Sequence, residues 1–141
     1  MTRHEEPDEP SKIAPFLDRG WDLLTRGDLA AAAESFRAAV TKKFVVSLPF
    51  LAYTYARLGD AAAARATLAE IDRQTADAPR TPALRAGTWM LLGDDGRAFA
   101  LLEEAIVQRD YWLSAMRISP PYEPLRNDPR YHDLLRRIDA R

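Results

Sequence analysis

The chain has 141 residues and a mass of 15.9 kDa, enough for one domain with a proper core. Its 20 Lys and Arg stand against 21 Asp and Glu, a net charge of −1 that argues against general nucleic-acid binding. Cysteine is absent, which excludes disulfides, thiolate metal sites and thiol nucleophiles, and no apolar run is long enough to span a membrane.

Residues 1–10 are acidic and proline-bearing, with no apolar stretch of signal-peptide type, and read as a disordered tail. The expected location is the cytoplasm. From Ser11 onward the pattern is helical: 24 alanines are present, and apolar residues recur at spacings of three and four. Strict alternation of β-branched residues is missing, which argues against a sheet. The spacing predicts helices over 13–26, 29–42, 47–58, 61–73, 82–93, 95–108 and 129–139, with a short one around 111–116 and a loop over 74–81. Ser47 is the expected cap of the third helix, which carries Pro49 in its first turn.

Three Gly-Asp pairs punctuate these helices: Gly27-Asp28, Gly59-Asp60 and Gly93-Asp94. Each pair is expected to close one helix with a left-handed glycine and open the next with an Asp cap. The glycines lie 32 and 34 residues apart, and other positions keep the same period. Five residues after each glycine stand Ala32, Ala64 and Ala98; nine after stand Phe36, Leu68 and Leu102; twelve after stand Ala39, Ile71 and Ala105. Four before stand Leu23, Tyr55 and Trp89, and seven before stand Gly20, Ala52 and Ala86. The small residues permit close helix crossings, and the large ones fill the space between helices. A single such pair cannot bury both of its apolar faces, so neighbours must stack.

These columns resemble the tetratricopeptide repeat, a helix–turn–helix unit, over residues 13–110. The units are bounded at 13–44, 45–78 and 79–110, within one domain spanning 11–141. The segment from Tyr122 to Arg137, with Leu125-Arg126-Asn127-Asp128-Pro129-Arg130-Tyr131 at its centre, resembles the closing motif of many bacterial tetratricopeptide arrays. The implied fold is an all-α superhelical solenoid of about three helical hairpins, closed by a C-terminal capping helix.

Catalytic signatures are scarce. His4 and His132 are the only histidines, too far apart in sequence for a usual zinc site, and phosphate-loop and nucleophile-elbow motifs are missing. Asp94-Asp95 falls at a helix start, and Glu103-Glu104 reads as a solvated face. Arginine outnumbers lysine 17 to 3, which we read as compositional. No enzymatic activity, cofactor or metal is expected.

In the family it resembles, the first helix of each unit lines a concave groove that takes peptides. Carried over, that surface consists of Leu17, Trp21 and Leu24, then Phe50, Tyr53 and Arg57, then Leu84 and Met90. Trp21 and Tyr53 share a column, and Trp, Tyr and Arg dominate binding energy at interfaces. The resemblance thus implies a non-catalytic adaptor for a peptide or helix of a partner protein. Self-association through the aromatic stripe, or regulation of a separately encoded effector, are the alternatives. On this reading Tyr53→Asp abolishes partner binding and leaves the fold intact.

Overall fold

A computed structural model describes residues 10–41, 47–74, 82–109, 113 and 120–140 of the chain. Among these residues there is no strand; the protein is all-α. The helices are α1 (Pro10–Thr25), α2 (Leu29–Thr41), α3 (Ser47–Arg57), α4 (Ala61–Gln74), α5 (Pro82–Leu91), α6 (Asp95–Gln108) and α7 (Pro129–Asp139). A 3-10 helix, Pro120–Leu125, precedes α7. No described helix is long and apolar enough to cross a membrane.

Every predicted helix with described backbone is present, with ends shifted by three residues or fewer. Pro10, placed in the predicted tail, is instead the first residue of α1. The rest of that tail, residues 75–81 of the expected loop, and the short helix near 111–116 apart from Leu113 lie outside the described residues.

The three Gly-Asp turns share one geometry. Gly27, Gly59 and Gly93 have φ of +81°, +83° and +87°, a left-handed conformation that costs a residue with a Cβ about 1–2 kcal/mol. The glycine N–H donates three residues back, to Leu24, Ala56 and Met90. The following Asp N–H donates five residues back, to Leu23, Tyr55 and Trp89, which closes a double-bonded helix end. Each Asp then opens the next helix. Its side chain accepts from the N–H of Ala31 (3.4 Å), Ala63 (3.0 Å) or Arg97 (2.9 Å). Its carbonyl accepts from Ala32, Ala64 or Ala98. A two-residue motif thereby satisfies both helix ends at once, and a connection this short makes the two helices antiparallel neighbours.

The helices form two compact units, Met1–Gln74 and Thr75–Arg141. In the first, α1 packs on α2, α2 on α3, and α3 on α4. Its core includes the predicted columns Ala32, Phe36, Ala39, Ala52, Ala64, Leu68 and Ile71, all buried. Gly20 lies where α1 meets Phe36, and Phe36 stacks on Phe50 with ring centroids 5.6 Å apart. Ser47 does not serve as the expected cap: its hydroxyl is buried and makes no hydrogen bond among the described residues. Pro49 in the same turn has no N–H, which removes one of the donors such a cap would serve.

In the second unit α5 packs on α6, and the 3-10 helix packs on α5. Residues 126–128 then join the 3-10 helix to α7, so the three-residue connection occurs a fourth time. Asp128 caps α7 through the Arg130 N–H at 2.9 Å, and stands 34 residues after Asp94. No left-handed glycine is needed here, because the preceding element is not an α-helix. Pro124 inside it lacks an N–H, which suits a short 3-10 turn better than an α-helix. Tyr122 and Leu125 from the 3-10 helix, with Tyr131 and Leu134 from α7, are buried.

Two arginines of α7 reach α6. Arg137 holds Glu103 with two hydrogen bonds of 2.6 and 2.9 Å. Arg130 lies 4.0 Å from the Phe99 ring centre and 3.6 Å from Asp95. Glu103 is exposed, as expected, and also forms an inter-helix ion pair. Hydrogen bonding from Arg137 holds the Glu103 carboxyl below its ordinary value, and bonds from Arg130 do the same for Asp128. A carboxylate lowered on folding contributes stability above its unfolded pKa and loses it as pH falls through the folded value. The anchoring of α7 on α6 should thus weaken below the ordinary carboxylate range. Urea midpoints should fall on acidification, and Glu103→Gln should flatten part of that dependence. The effect is small, since both partners are exposed to solvent.

Candidate functional site

The expected groove residues divide sharply by burial. Leu24, Phe50, Tyr53 and Leu84 are each 1 % exposed or less and belong to the core. They present no free surface, which corrects the expectation that all eight side chains face a partner. The reason is the environment of their helices. Every residue of α3 from Ser47 to Thr54 is buried, so no stripe of those first two turns faces solvent. In α5, Pro82, Ala83, Leu84, Ala86, Gly87 and Thr88 are buried in the same way.

Of the others, Arg57 is exposed, and Trp21 and Met90 are half-buried. The Leu17 side chain lies outside the described part of the structure. Trp21 meets Phe50 rather than its column mate Tyr53: the rings are 5.7 Å apart and tilted by 54°. Arg57 reaches back one turn, with its guanidinium carbon 5.9 Å from the Tyr53 ring centre.

Around Trp21 the surface is concave. Asp18, Trp21, Asp22 and Thr25 line an open depression of about 560 Å³. Their spacing of three, one and three places all four on one face of α1. The Thr25 hydroxyl donates to the Trp21 carbonyl at 2.8 Å, which turns it onto the helix backbone. Asp22 pairs with Arg26 at 2.9 Å. Asp18 is exposed and makes no ion pair among the described residues. Trp21 was legible as a surface candidate, but the two aspartates were not singled out. The signal that could have found them is their place one turn before Trp21 and directly beside it.

The arginines also have a structural use that composition did not suggest. Arg97 sits over Trp89 at 4.2 Å, as Arg130 does over Phe99. Such stacking suits the flat, weakly hydrated guanidinium.

Titratable groups do not converge. No three His, Asp or Glu side chains among the described residues form a cluster that could hold a metal ion. His132 is exposed on α7 with its ring edge-on to Tyr131. Asp94 serves as a helix cap, and Glu104 accepts from Gln108 at 3.0 Å. No family model, curated protein or solved structure matches the chain.

Proposed function

We propose that the chain is a non-catalytic protein–protein interaction module of tetratricopeptide type, which takes a peptide or helix of a partner protein on the exposed face of its first helices. One observation carries this reading. The same left-handed glycine, double-bonded helix end and Asp cap occur three times at a spacing of 32 and 34 residues. Stacked helical pairs of that period offer extended surfaces rather than enclosed pockets. The depression on α1 is of that open kind.

The binding surface on this reading is narrower than the eight-residue groove. It centres on Trp21, with Arg57 as an outlying exposed position. The test is capture from lysate of the native host, with the parent compared to a Trp21→Leu variant of unchanged circular dichroism. A protein retained by the parent and depleted by the variant supports the module. Identical retention by both, together with a monomeric molar mass by light scattering, overturns it. A concentration-dependent dimer mass abolished by Trp21→Leu would instead make this surface a self-interface.

A further inference from the structure

We infer that the α6 stripe of Asp95, Phe99 and Glu103 is a docking site for a partner helix that carries two arginines seven residues apart with an apolar residue between them, and that α7 is its resident, displaceable occupant. The inference goes beyond the module reading above and does not depend on the surface of the first helices.

The two faces match by spacing. Asp95, Phe99 and Glu103 follow one another at intervals of four, which sets them one above the other along α6. Arg130, Leu134 and Arg137 stand at intervals of four and three, which does the same along α7. The Arg130 guanidinium covers the Phe99 ring at 4.0 Å and lies 3.6 Å from Asp95. Arg137 donates to both oxygens of Glu103, at 2.6 and 2.9 Å. A stripe of acid, aromatic ring and acid is thus met by a stripe of arginine, leucine and arginine. The flat guanidinium suits both kinds of contact, because it stacks on a ring and donates in pairs to a carboxylate.

The occupant is lightly held. α6 buries Ala98, Leu101, Leu102 and Ala105, whereas α7 buries only Tyr131 and Leu134. From Leu135 to Ala140 no residue of α7 is buried, and the Arg137–Glu103 pair that ties this half to α6 is itself exposed to water. Exposed ion pairs contribute little to stability. Release of α7 need not open the rest of the unit, since Tyr122 and Leu125 are buried in the 3-10 helix, which packs on α5 ahead of α7. A terminal helix held in this way opens locally, and the stripe it uncovers accepts another helix of the same pattern.

The test uses the full chain and a peptide of residues 127–140, stapled through the exposed positions 132 and 136 to keep it helical. A second peptide carries Arg137→Glu. Amide resonances of α6 report occupancy. An Arg137→Glu chain, whose own α7 is repelled by Glu103, should bind the native peptide, and the Glu-bearing peptide about 10-fold more weakly. A Glu103→Lys chain should show the opposite preference. The parent should bind the native peptide at least about 10-fold more weakly than the Arg137→Glu chain does, because its tethered α7 competes at high effective concentration. Equal binding by the parent and the Arg137→Glu chain, the same peptide preference in both variants, or no binding to the Arg137→Glu chain overturns the inference. So does collapse of the α5 and α6 resonances in that chain, since α7 would then belong to the core of the unit and could not be displaced.

Discussion

Tyr53→Asp is expected to unfold the Met1–Gln74 unit rather than merely silence a binding surface. Tyr53 is 1 % exposed, on a helix whose first eight residues are all buried. Removing a buried aromatic side chain costs about 3–5 kcal/mol through lost contacts and the cavity left behind. A carboxylate in its place must either stay charged away from water or take up a proton, and both routes add to that cost. Domains of this size have about 5–15 kcal/mol of stability in total, so the substitution removes most of it. Far-UV circular dichroism in a urea series checks the outcome. Tyr53→Phe serves as the control, since it keeps the ring and should lose no more than about 1.5 kcal/mol. A Tyr53→Asp protein that melts like the parent would return Tyr53 to the surface and restore the wider groove.

Gly20→Ala is expected to destabilise the same unit by about 1–3 kcal/mol, although alanine is the better helix former. A Cβ on Gly20 would lie 2.6 Å from Phe36 Cζ and 2.9 Å from Cδ1. The Phe36 ring cannot swing aside, because it is fully buried and stacked on Phe50 at 20° between planes. The intrinsic gain from replacing a helical glycine is about 1 kcal/mol, less than the strain of moving an aromatic stack. Gly96 in α6 supplies the opposite case. It is exposed, and its Cβ would meet only Asp94 Oδ1 at 3.9 Å. Gly96→Ala should therefore stabilise by about 0.5–1 kcal/mol. Urea midpoints of the two variants should move in opposite directions from the parent. Equal and positive shifts would show that helix propensity governs both sites and that α1 does not approach Phe36 closely.

Helix positions, their turns and the small-residue columns are local or periodic properties, and they were legible in the chain. A glycine followed by Asp has a conformational freedom and a capping oxygen that no tertiary contact needs to supply, so all three turns follow from two residues each. Period alone also placed Ala32, Ala64 and Ala98 at buried crossings. The 3-10 helix before the fourth connection was hidden, because its prolines disfavour an α-helix and no glycine marks its end, whereas α7 itself was legible. The role of Glu103 was hidden for a different reason: its partner Arg137 is 34 residues away and reaches it only in the tertiary structure, from α7 to α6.

Burial was the quantity that period could not settle for the first helix of each pair. An amphipathic pattern ranks the faces of one helix, but the number of neighbours around that helix sets how many faces are covered. α3 is enclosed along its first two turns, which takes Phe50 and Tyr53 into the core, while Trp21 at the matching position of α1 is only half-buried. The helical hairpins of this protein were thus written into its residue spacing, whereas which side chains of their first helices stay exposed came from how the helices pack, because exposure depends on neighbours that no local pattern encodes.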